Sequence, residues 1–148
     1  MNHFSAALEW KIGTKGFSYK DYDRTHLIKL GSGTNFQASA APDFLGKPDL
    51  VNPEESMVGA VSSCHMLTFL AIASRRGWTL DSYIDSADGV LEKGLSGKLW
   101  LSKITLRPKI VWANGVKVDL EILRGLHKEA HDNCFIANSI KSEVVIEI

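Results

Sequence analysis

The stretch NPEESMVGAVSSCHMLTFLAIASRRG, residues 52–77, decides the fold, because its pattern predicts one long helix that is apolar around most of its circumference. Asn52 is a good N-cap residue, Pro53 suits the first helical position, and Glu55 completes a capping box. Gly77 supplies the stop signal after the last turn. A helix of this kind belongs in the middle of a hydrophobic core.

The rest of the chain is mainly strand-forming. Alternating or β-rich segments predict strands at residues 6–12, 26–30, 35–40, 78–90, 99–111 and in the closing SEVVIEI. Gly94 and Gly97 predict a hairpin turn, and Asp119 caps a second predicted helix at about residues 120–131. This order is not a regular βαβ alternation. It predicts an α+β fold in one domain, residues 1–148, with antiparallel sheets wrapped around the central helix.

The composition excludes several classes of partner. Basic and acidic residues number 17 each among 148, so the formal net charge is zero. Such a chain is not expected to bind nucleic acid or an anionic membrane through a broad electrostatic field, and a neutral surface favours association into an oligomer. The N-terminus lacks a secretory signal, and polar residues interrupt the apolar run at 57–73, which we interpret as a core helix and not a membrane span. Two distant cysteines do not form a secreted disulfide scaffold, so we expect a cytoplasmic protein.

The two cysteines are the first candidates for chemistry. Cys64 lies in SSCH, the most polar patch of an otherwise apolar helix, and buried polar groups need partners. The ordinary fate of a helical cysteine is to serve as a small apolar side chain. Cys134 offers a different interpretation, because a thiol that attacks a peroxide becomes a sulfenic acid, which a second thiol converts to a disulfide.

The neighbours of Cys64 along the helix are poorly placed to activate it. Adjacent helical residues point about 100° apart, so His65 is not expected to bond Cys64 and is interpreted as a core histidine that meets another strand or another subunit. Glu54 stands ten residues earlier, about 15 Å along a helix axis, so a carboxylate there reaches the thiol only through an intermediary. A long cation such as arginine suits that task, since it favours the thiolate.

Two other kinds of site remain open on these residues alone. His127, His131 and Cys134 stand at i, i+4 and i+7, on one helical face, and with Cys64 as a fourth ligand they form a candidate Zn²⁺ set in a non-catalytic metal- or ligand-binding dimer. Alternatively, Cys64 is an acyl-transfer nucleophile with a distant histidine as its base. No oxyanion-hole feature in the sequence supports the second alternative.

Two motifs, in this order, resemble those of the OsmC/Ohr family, the osmotically inducible and organic-hydroperoxide-resistance proteins. NPEESMVGAVSSCHM, residues 52–66, is similar to that family's motif of Pro-Glu, nine residues and Cys. AHDNCFIANSI, residues 130–140, is similar to its second-cysteine motif, which also leads into a final strand. Length, strand order and cysteine count match as well, so the resemblance covers nearly the whole chain.

The resemblance implies an OsmC-like α+β fold in an intertwined homodimer, with two active sites built from both subunits. It implies a thiol peroxidase that needs no cofactor, acts on organic or fatty-acid hydroperoxides and is regenerated by a dithiol, for example of the lipoyl type. Cys64 corresponds to the family's peroxidatic cysteine, Cys134 to the resolving cysteine and Glu54 to a carboxylate that holds an arginine. Arg24, the only arginine before the long helix, corresponds to that arginine.

We also expect an apolar lining beside Cys64, which favours an organic peroxide over hydrogen peroxide. The residues predicted to form it are Phe44, Leu45, Met57 and Phe69.

Overall fold

The computed structural model describes residues 1–113 and 115–148, which form two compact units, Met1–Ser56 and Met57–Ile148. The first unit is a three-stranded antiparallel sheet, followed by a short 3-10 turn at Pro42–Phe44. Its strands are β1 (Ala6–Glu9), β2 (His26–Leu30) and β3 (Asn35–Ala38). The three strands predicted in this region are confirmed, and the first and third end earlier than the sequence indicated.

Helix α1 spans Pro53–Arg75 and begins with the predicted capping box. The Glu55 backbone N–H donates to Asn52 Oδ1 at 2.8 Å, and the Asn52 backbone N–H donates to Glu55 Oε2 at 3.3 Å. Ser56 Oγ adds a bond to the Asn52 carbonyl at 2.9 Å. The free N–H groups of Asn52 and Glu55 thus find side-chain partners, which fixes where the helix starts.

The second unit contains the remainder of α1, from Met57, with five strands and one further helix. These elements are β4 (Leu80–Asp85), β5 (Asp88–Lys93), β6 (Leu99–Leu106), β7 (Pro108–Trp112), α2 (Leu120–Asp132) and β8 (Glu143–Ile146). β4 pairs with β7, while β5, β6 and β8 form a second sheet in the order β5-β6-β8. The pairings are antiparallel except that of β6 with β8, which is parallel.

The predicted strands 78–90 and 99–111 are each divided in two, because both segments leave one sheet and enter the other. The change occurs between β4 and β5 on one side and between β6 and β7 on the other. Asp85 Oδ1 accepts the Arg107 backbone N–H at 2.6 Å, and the Arg107 guanidinium pairs with Asp88 and Glu147. The predicted hairpin turn is confirmed: the Gly94 N–H donates to the Lys98 carbonyl at 3.0 Å.

α1 supplies the centre of two hydrophobic clusters in the second unit. Phe69, Ile72 and Ala73 pack against Leu126 and Ala130 of α2 and against residues of β4 and β7. A separate cluster joins α1 to the sheet of β6 and β8, and its fully buried members are Val61, Ile104 and Leu106. Although α1 is long and apolar enough to cross a membrane by length and composition, with a mean hydropathy of 1.6, this packing identifies it as a core helix.

The apolar circumference of α1 predicted burial around most of the helix. In the structure α1 is not buried on every side. Leu67 is 60% exposed, and Cys64 is only half-buried, whereas Val61, His65 and Phe69 are fully enclosed. The described part of the chain therefore covers one face of α1 and leaves an apolar face uncovered.

Candidate functional site

Cys64 lies on the half-covered side of α1, where the helix borders a cleft of about 640 Å³. Leu67, Ala71 and Phe135 give this cleft much of its apolar wall. Arg75 lines it as well. The spacing between Cys64 and Arg75, eleven residues or about three turns, places both on one face of α1.

The predicted apolar lining is wrong for Phe69, which is fully buried in the core against His127 and Tyr83. Met57 is also wrongly assigned, since it packs against the cluster around Val61. The reason is that apolar type alone does not tell which face of a helix meets the core.

Cys134 follows α2 directly and is fully buried, beside Cys64. Its backbone N–H donates to the His131 carbonyl at 3.1 Å, and its Sγ accepts the Ala137 N–H at 3.4 Å, so the turn after α2 holds the thiol in place. Burial, together with a side-chain hydrogen bond with Cys64, raises the pKa of Cys134 to about 11. Cys134 therefore keeps its proton at neutral pH.

The structure thus brings together two free thiols that are 70 positions apart in the sequence. Cys64 reaches the cleft, and Cys134 lies behind it in a dry environment. Thr68 Oγ1 donates to the Cys64 carbonyl at 2.8 Å, so this hydroxyl is occupied by the helix backbone. In this arrangement the Cys64 sulfur is open to a ligand, and the Cys134 sulfur is buried beside it.

Arg24 belongs to the first unit, where it is 8% exposed. Nη1 donates to the Tyr22 carbonyl at 2.9 Å and Nη2 to the Tyr19 carbonyl at 2.7 Å. The guanidinium carbon lies 4.0 Å from the centre of the Tyr22 ring, within cation–π range. Arg24 also lines a cleft of about 520 Å³ with Trp10 and Phe17. Its contact with Cys64 stays a prediction.

Glu54 occupies the first turn of α1, where a carboxylate is favoured by the helix dipole. Its Oε2 is buried and has no hydrogen-bond partner within residues 1–113 and 115–148. A buried carboxylate oxygen without a donor is costly, and a guanidinium is well suited to satisfy it. This orphan acceptor agrees with the role that the sequence predicts for Glu54, holding an arginine.

Two other polar residues of SSCH, Ser62 and His65, have partners inside the second unit. Ser62 Oγ donates to Asp85 Oδ2 at 2.5 Å. His65 is 1% exposed, and its Nε2 lies 3.0 Å from Nδ1 of His127, which is also 1% exposed. The core interpretation of His65 is confirmed for its burial, and the partner of Nε2 is a helix residue instead of a strand. Its Nδ1 is buried without a hydrogen-bond partner within residues 1–113 and 115–148.

The histidine pair is electrostatically unusual. Burial, together with the nearby His131, lowers the pKa of His65 to about 4. Burial likewise lowers the pKa of His127 to about 4, with His65 as the second cause, while Asp85 opposes the shift in both. Both rings are therefore neutral near pH 7. Sequence reasoning missed the pair, although His127 stands on the apolar stripe of α2.

The zinc alternative is not supported by the geometry. No group of three or more His, Cys, Asp or Glu side chains in the described ranges, 1–113 and 115–148, is arranged to hold a metal ion. His127 faces His65, while Cys134 faces Cys64, so the predicted ligands point toward different neighbours.

Comparison with known proteins decides the family. The profile of the OsmC-like protein family matches residues 46–148. The chain belongs to the OsmC family. An OsmC-like protein of unknown function from Vibrio cholerae is 41% identical, with a TM-score of 0.94 over 100% of this chain and 99% of that one. The resemblance stated from the two cysteine motifs is therefore confirmed.

More distant relatives of this OsmC protein share its fold. An organic hydroperoxide resistance protein from Elizabethkingia anophelis superposes with a TM-score of 0.74 at 17% identity, covering 99% of this chain and 93% of that one. The uncharacterized protein YmaD of Bacillus subtilis is 23% identical over 128 residues, or 85% of each chain. The predicted OsmC-like α+β fold is thereby confirmed.

Proposed function

We propose that this OsmC protein is a thiol-dependent peroxidase that reduces organic hydroperoxides. The observation that carries the proposal is the pairing of Cys64, half-buried at a cleft, with Cys134, buried and protonated behind it. A nucleophilic thiol needs access to its substrate, whereas a resolving thiol needs only to reach the oxidised sulfur. The two environments match these two tasks.

The chemistry runs in two steps. The Cys64 thiolate attacks the distal oxygen of the hydroperoxide, an S–O bond forms while the O–O bond breaks, and the alkoxide leaves as an alcohol after taking up a proton. Cys64 is then a sulfenic acid. The Cys134 sulfur attacks that sulfur, the S–O bond breaks, and water leaves with the Cys134 proton as the disulfide forms. A dithiol reductant, for example of the lipoyl type, returns both cysteines to thiols.

The cleft favours an organic substrate. Leu67, Ala71 and Phe135 present apolar surface beside Cys64, and such surface binds an alkyl group better than it binds hydrogen peroxide. This support concerns the class of substrate and leaves the particular peroxide to experiment.

Arg24 and Glu54 complete the proposed site. A guanidinium beside Cys64 would favour its thiolate and stabilise the charge that develops on the departing oxygen. Glu54 would hold Arg24, and its unpartnered buried Oε2 supports that task. In the family pattern the arginine reaches across a homodimer. The uncovered apolar face of α1, with Leu67 60% exposed, supports such a dimer.

The proposal is tested by adding an alkyl hydroperoxide to the reduced protein and measuring intact mass and free thiols. We expect both thiols to disappear together with the loss of two hydrogen atoms per chain, and steady turnover when a dithiol is supplied. Cys64→Ser should abolish peroxide consumption. Ser63→Ala, which alters the same cleft but leaves the sulfur, is the matched control. Full activity of Cys64→Ser would remove the mechanism.

A further inference from the structure

The Met57–Ile148 unit has a second cleft, which is lined by one face of α2. This cleft takes no part in the proposed thiol chemistry. Its volume is about 510 Å³, and it runs between α2 and the C-terminal segment. The lining residues are Arg124, His127, Lys128, His131, Ile146 and Ile148. We propose that this cleft binds a phosphate group, either free or as part of a phosphate monoester.

Four of the six lining side chains are suited to an anion, and the other two, Ile146 and Ile148, are apolar. Arg124 and Lys128 are cations, His127 and His131 offer ring nitrogens, and no lining side chain is a carboxylate. The four residues recur at i, i+3, i+4 and i+7, so α2 presents them together. Lys128 also pairs with Asp132 at 2.6 Å, whereas Arg124 forms no ion pair among the described residues. Its planar fork matches the oxygens of a phosphate.

The second observation is a set of buried nitrogens without partners. His127 is 1% exposed, and neither its Nε2 nor His131 Nδ1 has a hydrogen-bond partner within residues 1–113 and 115–148. Leaving a buried polar atom unbonded costs about 1–3 kcal/mol, so such atoms usually mark a missing ligand or a strained site. An acceptor oxygen bound in the cleft would satisfy them.

The histidine pair can supply a donor without becoming charged. When His65 donates its Nε2 proton to His127 Nδ1, the neutral His127 must carry its own proton on Nε2. That nitrogen then donates to a ligand in the cleft. This tautomer is part of the proposal, because the 3.0 Å contact is equally satisfied when His127 Nδ1 donates to His65 Nε2.

A simpler explanation accounts for only part of this arrangement. Basic residues near the end of a helix stabilise its dipole, which explains Lys128 and His131 without any ligand. The dipole does not explain why the buried Nε2 of His127 has no partner, or why the basic residues line a cleft. A bound anion explains the basic residues, their position along a cleft and the unpartnered Nε2 of His127. It also relieves the repulsion between Arg124 and Lys128, which stand at i, i+4.

The test is titration of the whole protein with inorganic phosphate at constant ionic strength, with sodium chloride as the balancing salt. Binding is measured by calorimetry and by shifts of the backbone amide signals of α2, using protein tagged at the N-terminus because Ile148 lines the cleft. We expect saturable binding, with signals shifting at residues 124–131. Arg124→Gln and Lys128→Gln, both exposed, should each weaken binding about tenfold, since each removes a charge-assisted hydrogen bond. Lys117→Gln, an exposed position outside the cleft, is the control and should bind as the wild type does.

Parallel titrations identify the source of the phosphate group. Tighter binding of glycerol 3-phosphate than of inorganic phosphate would indicate a monoester, and the reverse order would indicate free phosphate. Either order supports the site. Non-saturable shifts that chloride reproduces, or equal affinity in Arg124→Gln, Lys128→Gln and wild-type protein, would overturn the proposal. His127→Asn is expected to bind more weakly, but the two exposed variants decide the question, because they leave the core unchanged.

Discussion

His65 Nε2 lies 3.0 Å from His127 Nδ1, and the planes of the two buried rings are 5° from parallel. The pair joins α1 to α2 in the core, and the His127 ring also stacks on Phe69 with 4.5 Å between the ring centres. A proton added to either imidazole would place a charge in a dry environment beside a second base. Acid should therefore destabilise the folded protein at this histidine pair.

The pair predicts a fall in stability on acidification. Burial lowers the pKa of both histidines from 6.5 to about 4, so the unfolded chain binds more protons than the folded one between these values. The free energy of unfolding should therefore be fully developed above pH 6.5 and fall as the pH drops toward 4. Urea denaturation at several pH values measures this slope.

The variants make this prediction specific to the pair. His127→Gln should reduce the slope, whereas His3→Gln, at an exposed position near the N-terminus, should leave it as in the wild type. A stability that stays level from pH 7 to 5 would contradict the pH dependence expected from the two shifted pKa values.

Cys134→Ser should separate the two proposed steps of peroxide reduction. Cys64 keeps its place at the cleft in this variant and can still be oxidised, but no second thiol stands beside it. After one equivalent of alkyl hydroperoxide, we expect a stable sulfenic acid, detected as a dimedone adduct by mass spectrometry. The wild type should form the disulfide and give little adduct. Equal yields of adduct from both proteins would show that Cys134 does not resolve the intermediate.

Asn52→Ala should destabilise the protein by about 1 kcal/mol, because it removes the N-cap of α1. Asn52 Oδ1 accepts the Glu55 N–H at 2.8 Å, and alanine has no atom that can replace it. Asn52→Asp keeps an acceptor oxygen and should retain most of the stability. The midpoint of urea unfolding reports both changes, and an alanine variant as stable as the aspartate variant would show that the cap contributes nothing.

Two glycines should respond to alanine in opposite ways. A Cβ at Gly46 would lie 1.6 Å from the Ala40 carbonyl oxygen, which is a backbone atom with no room to move, so Gly46→Ala should disrupt this loop. Gly125 lies inside α2 with no atom within 4 Å of an added Cβ, so Gly125→Ala should stabilise the protein by about 0.5–1 kcal/mol. Thermal unfolding distinguishes the two, and a tolerated Gly46→Ala would contradict the close approach.

Local signals in the sequence predicted the local structure well. The cap at Asn52 and the turn at Gly94 depend on side chains or backbone groups a few residues apart, so their chemistry is readable without the fold. The division of the strands at Asp85 and Arg107 was not readable, because a strand that changes sheets keeps the same alternation of apolar residues. A hydrogen bond between positions 22 residues apart joins the two points where the chain changes sheets.

The candidate site shows the same division between local and long-range information. The helical position of Cys64 followed from periodicity, but its neighbour Cys134 came within reach only through the packing of α2 against α1. The family resemblance supplied that pairing in advance. Neither route indicated that His65 would meet His127, since an isolated histidine in an apolar pattern does not identify its partner.

The parallel pairing of β6 with β8 also constrains how the chain reaches its final state. Register partners such as Lys103 and Glu143 are separated by 40 positions, and β7 and α2 lie between the two strands. During synthesis β6, the middle strand of this sheet, leaves the ribosome well before β8. One edge of β6 therefore stays unpaired until β8 has been made. Contacts of such long sequence separation slow folding, so the last residues made set the pace at which the sheet closes.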